Sequence, residues 1–414
     1  MTTFRNNFLI NLPSVLISLI PLFLITGPFL SDLSVVIVCI FFLINLFRDK
    51  DFSRFDNRFF KFFLFFFIYL VLNSFIKFFD INSFRVSFSY IRFGLYVLAV
   101  IYFLDKNKRL IHWLFYCFLF CFILLIIDGY FQYFFKENLT GYSLGSERRI
   151  SSFFYDEYVL GSYLSRLLPI FLGLSLIIFE KNEKYLILIF ILFILIQTLI
   201  FLTGERASFF FSLLSTLFII FMMQKFRLAR LLAFILPIIM IFFISIFNDT
   251  AKKRIIDETI SQMGIYGDNK HIFSEHHESH YRSAYLMFSE NKIFGIGVRN
   301  FRNFCGEKRF QISNKSCSTH PHNTYIQLLS ETGLIGFSFG IFIFLYFSSI
   351  CFHHLKKSLL NKEYIFNDFE VCILGAILIS IWPLVPNGNF FNNWISIIYY
   401  FPVGFLLWSL KKNN

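Results

Sequence analysis

The chain has 414 residues, of which 57% are hydrophobic and 15% charged, and 65 are phenylalanine; soluble domains carry about 25% charged residues. A globular core of this length cannot bury so many aromatics, whereas lipid accepts them as a solvent, so a soluble fold is excluded. The net charge of +12 does not mark a nucleic-acid binder, because most lysines and arginines fall in short gaps between apolar runs.

The first apolar run begins at Phe8, contains Pro13 and Pro21, and leads straight into another. It reads as a retained helix rather than a cleaved signal peptide. Crossing the hydrocarbon takes about twenty mainly apolar residues. Spans on that criterion run near 8–26, 30–47, 62–76, 87–104, 111–131 and 159–179. Six more follow near 185–202, 208–223, 231–247, 324–350, 371–386 and 392–410. The expectation is an all-α polytopic membrane protein of about twelve transmembrane helices, nine in 1–247 and three in 324–414, around one large loop at 248–323.

Basic residues set the orientation. Alternate gaps hold Arg48, Lys50, Arg54, Arg58 and Lys61; Lys106, Lys108 and Arg109; Lys181 and Lys184; Lys225, Arg227 and Arg230; Lys356, Lys357 and Lys362; and the tail Lys411 and Lys412. With Arg5 these make nineteen, against six in the intervening short gaps: Lys77, Arg85, Lys136, Arg148, Arg149 and Arg206. Both termini are therefore expected in the cytoplasm of a bacterium, with 248–323 in the periplasm and a second outer loop near 132–158.

Five cysteines lie in or beside apolar runs and read as small hydrophobes. Cys305 and Cys317 share the large loop; in an oxidising compartment they close a short disulfide, and elsewhere they are two free thiols. Charged residues within spans are costly. Arg92, Asp128 and Arg166 fall toward the outer ends of theirs, with Arg206 at the same level. Pairing of either arginine with Asp128, or snorkelling, is the plain reading. The other is an anionic lipid diphosphate, whose oxygens suit the guanidinium fork. Within Glu275-His276-His277-Glu278-Ser279-His280, His276 and His280 would share one helical face. The run lacks the glutamate placement of a zinc protease helix, and a solvated loop, along with His271, is the simpler expectation.

Ser318-Thr319-His320-Pro321-His322-Asn323 joins the large loop to the tenth span, which continues with Gln327, Glu331, Gly333 and Gly336. Two interfacial histidines around a proline, followed by Asn and a deeper Glu, resemble the signature of the O-antigen ligase and polymerase superfamily. Three stretches resemble its other motifs in order. Arg149-Ile150-Ser151-Ser152-Phe153-Phe154 leads to Leu160-Gly161-Ser162; Thr203-Gly204-Glu205-Arg206-Ala207-Ser208 is a short Arg-bearing turn, with Glu205 where Ser is commoner; and Arg282 precedes Gly295-Ile296-Gly297.

The resemblance implies a GT-C-like membrane glycosyltransferase that needs no metal or cofactor and works outside the inner membrane. Its donor would be a glycan on a polyprenyl diphosphate; its acceptor would be lipid A–core for a ligase, or another lipid-linked glycan for a polymerase. A protein acceptor is a close variant. It further implies His322 as the base, with Arg206 and Arg282 at the departing diphosphate. Arg149, Arg166, Glu205, His320 and Asn323 would contact substrate, Glu205 doubling as a possible second acid or base. Glu331, roughly 13 Å from His322 along a helix at 1.5 Å per residue, suits a structural role such as pairing with a buried arginine. The rival class is a transporter or flippase of a lipid-linked or small anionic substrate. Against it stand the polar residues gathered at outer ends and the absence of a visible repeat.

Overall fold

The computed structural model describes residues 2–76, 80–144, 149–247 and 273–413, with 253, 257 and 260–261. Most of 248–272, including His271, lies outside them. Among the described residues the fold is all helical, with no strand. The first half comprises α1 (Thr2–Ser18), α2 (Ile20–Thr26), α3 (Pro28–Asp49), α4 (Arg58–Ile76), α5 (Ile81–Ser89), α6 (Ile91–Lys106) and α7 (Leu110–Phe135). Then come α8 (Leu160–Ile178), α9 (Leu186–Leu202), α10 (Arg206–Met222), α11 (Arg227–Phe247), α12 (Glu275–Glu290), α13 (Thr324–Asn361), α14 (Asp368–Ile381) and α15 (Asn393–Asn413).

Each predicted span has a helical counterpart, but length divides them. Among the described residues, eight helices are long and apolar enough to cross a membrane, α5 and α6 counting as one (Ile81–Lys106), or nine if α1 and α2, bent by 52°, form one span. The helices α9 and α10 have 17 residues each and α14 has 14, short of the roughly twenty a span needs. The count of twelve spans is therefore not reached on length. The phenylalanine surplus is divided as a lipid-solvated bundle requires. Phe42, Phe103, Phe118 and Phe171 are fully buried between helices, while Phe29, Phe65, Phe134 and Phe221 face outward.

The most enclosed span, α8, packs on α7, α9, α10 and α14, whereas α11 and most of α13 lie at the periphery. The two ends of the bundle differ. At one, Arg54 bridges Asp51 (3.0 Å) and Asp105 (2.8 Å), and Lys411 joins Asp105 (3.0 Å). At the other, where α6 and α15 begin, Arg92 pairs with Asp32 (2.9 Å) and donates to Asn393 Oδ1 (2.7 Å). The pairing expected with Asp128 is not found. Asp128 instead accepts from the Leu139 amide (2.7 Å) and the Ser152 hydroxyl, fastening the outer loop to α7. This second end carries the candidate site.

Candidate active site

The site begins with an interrupted helix. At Gly333 the backbone of α13 leaves the helical region (φ 64°, ψ −165°), and a Cβ there would lie 2.2 Å from the Ile293 carbonyl oxygen. Glycine alone fits so close an approach with positive φ. The segment 292–297 fills the break. Leu334 N donates to Lys292 O (2.8 Å), Ile296 N to Ser330 O (3.0 Å) and Gly297 N to Glu331 O (2.9 Å). The helical groups freed by the interruption are thus satisfied. The buried Glu331 carboxylate accepts from the amides of Arg299 (2.9 Å) and Phe301 (3.2 Å) and from Gln327 Nε2 (3.0 Å). Its partners are two backbone amides and a side-chain amide rather than the guanidinium of a buried arginine. The result is a fixed 298–302 segment that presents Arg299 and Arg302.

The histidine loop is held from both sides. Asn323 caps α13, its Oδ1 accepting from Tyr325 N (3.0 Å) and Ile326 N (3.1 Å) and its Nδ2 donating to Pro383 O (2.7 Å). This occupies the side chain in fold maintenance. His322 has φ 58°, a left-handed conformation uncommon for a residue with a side chain. Asn387 holds it there by donating its backbone amide to His322 O (2.7 Å). Cys305 and Cys317 form a disulfide twelve residues apart in sequence, closing the loop just before His320.

Asn387 is a hub. Its carbonyl accepts from His320 Nε2 (3.2 Å), its Oδ1 accepts from Arg166 Nη2 (2.7 Å), and its Nδ2 donates to the Tyr399 hydroxyl (2.5 Å). Arg166 also donates from Nε to Ser162 Oγ (3.2 Å), and its guanidinium lies over the Phe211 ring (4.7 Å). It is 3% exposed, and Nη1 has no hydrogen-bond partner.

These groups line a cavity of about 1220 Å³. Its lining combines polar groups, among them Arg166, Arg299, Arg302, His320, His322 and Asn387, with apolar ones such as Leu22, Leu24, Ile25, Phe154 and Trp394. Glu205 also borders it, but its oxygens accept from Gly161 N (2.7 Å), Ser162 N (2.9 Å) and Ser208 Oγ (2.8 Å). That is the geometry of a carboxylate capping α8. Arg149 stands beside the cavity, over the Tyr158 ring (4.2 Å), and acts electrostatically on Glu205. Arg206 opens α10 and acts on His277. Arg282 is not brought to the cavity. It is exposed on the far face of α12, beside Ile312, Ile326 and Leu329.

The run expected as a solvated loop is the first half of α12. Ser274 Oγ caps it, accepting from His277 N (3.5 Å), and the apolar residues Ala284 and Met287 bury one side of the helix. His276 and His280 do share a face, with rings 5.3 Å apart. Unforeseen is what that face meets, namely His322. Burial, then the charge of His322, lowers His320 to about 3 and His277 to about 4. Burial, then His276, lowers His322 itself. His277 and His320 are thus neutral at pH 7, and His322, lowered in the same way, is fit to accept a proton beside fixed cations. Among the described residues, no three or more His, Cys, Asp or Glu are grouped to hold a metal ion.

Sequence reading missed Arg299, Arg302 and Asn387. The signal for Asn387 was visible: Asn387, Asn389, Asn392 and Asn393 crowd one short outer gap between apolar runs. No curated protein matches the chain. The family model described as O-antigen ligase matches residues 168–341, which include both site histidines, Arg299 and Arg302, and exclude Arg166 and Asn387.

Proposed function

We propose that this multi-pass membrane protein, whose residues 168–341 match the O-antigen ligase family model, belongs to the O-antigen ligase and polymerase superfamily and transfers a glycan from a polyprenyl diphosphate to an acceptor hydroxyl. One observation carries the reading: three arginines and two neutral histidines line a cavity that leucine, isoleucine, phenylalanine and tryptophan side chains also line. A lipid-linked anionic donor needs both kinds of surface. The acceptor oxygen attacks the sugar C1 as His322 takes its proton. The bond from C1 to the diphosphate breaks, and the electron pair leaves with the phosphate oxygen. A histidine that is neutral at working pH suits the base. Preorganised guanidinium groups lower the barrier by meeting charge that grows in the transition state. Arg302 and Arg299 take this task beside His320 and His322, with Arg166 on the other flank and Arg206 behind.

The purified protein should move a saccharide from a polyprenyl-diphosphate donor to lipid A–core or to a second lipid-linked saccharide. Translocation of donor across a vesicle without any transfer would favour the transporter instead. In a deletion strain, full-length chains stranded on the carrier indicate a ligase; single repeats attached to core indicate a polymerase. We place the active end in the periplasm and both termini in the cytoplasm of the inner membrane, on the nineteen-to-six asymmetry of basic residues. Periplasm-active reporter fusions at Lys357 or Lys412 would overturn that orientation.

A further inference from the structure

The transfer chemistry makes no use of the histidines of α12, yet the fold sets them against the base. The His280 ring lies 5.3 Å from the His322 ring at 26° to it, and the His277 ring lies 5.6 Å away at 82°. His276 is exposed and follows 5.3 Å from His280. A histidine that only packs is pinned through its nitrogens, as His354 is. There Nε2 donates to Met222 O (3.0 Å) and Nδ1 accepts from Phe366 N (3.2 Å). His280 is 4% exposed, and neither ring nitrogen makes a well-formed hydrogen bond, although the Lys315 backbone acts on the ring. Buried polar groups are seldom left so. With no well-formed hydrogen bond to fix its soft χ2 torsion, the ring lies stacked on His322.

We propose that the histidine face of α12 is a positioning surface for His322: together with Ser318, whose Oγ lies 3.0 Å from His322 Nε2, it holds that imidazole in place while the rings are neutral, and it lets go when they gain protons. The proposal rests on His322 as the base.

The charges around the cluster favour release on acidification. On α12, Glu278 lies in the first turn and Glu275 is taken up by Lys315 (2.8 Å). From the start of α10, Arg206 acts on His277; from the 298–302 segment, Arg302 acts on His320, whose ring is 4.1 Å from that of His322. Each proton added therefore meets like charge. Burial, then the charge of His322, holds His277 and His280 at about 4, against an ordinary 6.5. Docking of α12 is thus complete above pH 6.5 and weakens as pH falls from there toward 4.

Carbethoxylation by diethyl pyrocarbonate, read by mass spectrometry on the full chain in nanodiscs, tests this without any glycan. The reagent attacks accessible neutral imidazoles. At pH 7.5, His280→Ala should label His322 at least ~3-fold faster than wild type, and His280→Phe, which keeps a ring, should stay near wild type. In transfer assays with a polyprenyl-diphosphate disaccharide, His280→Phe should keep at least ~3-fold more of its pH 7.5 rate at pH 5 than wild type keeps, the effect of about half a pKa unit. Unchanged labelling of His322 in a His280→Ala protein that melts normally would overturn the proposal. So would superimposable pH profiles of wild type and His280→Phe. A His322→Gln protein that still transfers removes the base reading instead, and labelling still reports whether α12 holds the ring.

Discussion

The two ends of this bundle use the same residue types to opposite effect. At the basic-rich end several charges are matched, although Arg230 keeps a bare Nε. Arg54 lies between Asp51 and Asp105, His354 is fixed through both nitrogens, and Glu370 completes a capping box with Asn367 while accepting from Ser409. At the other end Arg166 hydrogen-bonds to neutral oxygens and keeps one nitrogen bare, and neither ring nitrogen of His280 makes a well-formed hydrogen bond. Groups matched to one another stabilise a fold; groups held in place and left partly unmatched are available to a ligand. The second arrangement lowers stability in exchange for binding, a pattern expected where function resides.

The comparison breaks first at His322. If this end is built for transfer, His322→Gln should lower the rate of the purified protein by roughly 10²–10⁴-fold, the range for loss of a general base. His320→Ala should keep a measurable fraction, since that ring is occupied with Asn387 O and Thr319 Oγ1. A His322→Gln enzyme of near-normal rate would leave catalysis to the arginines.

Next come those cations. Arg302→Ala and Arg166→Ala should each cost about 10²-fold in transfer at unchanged membrane level, as for loss of one preorganised donor. Lysine should restore part of it, keeping the charge but not the fork. Arg282→Ala should cost far less, since Arg282 lies off the cavity; equal losses at Arg282 and Arg302 would show that α12 turns its far face inward during the reaction.

A sharper test converts one end into the other. Asn387→Asp gives Arg166 the carboxylate it lacks and should slow transfer more than Asn387→Ala, about 10-fold for a misplaced group against a lesser loss. An Asp variant faster than the Ala variant would mean that Arg166 serves packing. The smallest effect belongs to the basic-rich end. Arg54→Ala should lower stability by about 1 kcal/mol, as partly exposed ion pairs do, seen as a small drop in melting temperature with the rate per folded molecule intact.

Much of this contrast was hidden in the sequence, for physical reasons. Helix positions were legible because lipid demands long apolar runs, and each predicted span has its helix. Breaks were not: hydropathy cannot register the positive φ of Gly333 or the bend between Ser18 and Ile20. His322 and Asn323 were legible as polar groups at a membrane boundary. The roles of Arg299 and Asn387 were not, because each depends on a partner far off in the chain: Glu331 for one, Arg166 for the other. The helical spacing of His276 and His280 was readable, but not the ring it would meet.

The bond between Cys305 and Cys317 bears on which way up the protein works. A disulfide survives where thiols are not kept reduced. A chain inserted upside down would carry the same helices and the same histidines into a reducing compartment, and the loop leading to His320 would arrive unfastened. The cross-link and the charge asymmetry arise from unrelated chemistry, one from sulfur oxidation and one from the retention of lysine and arginine during insertion. Both agree with the orientation proposed above, under which a misoriented copy would lack a finished site.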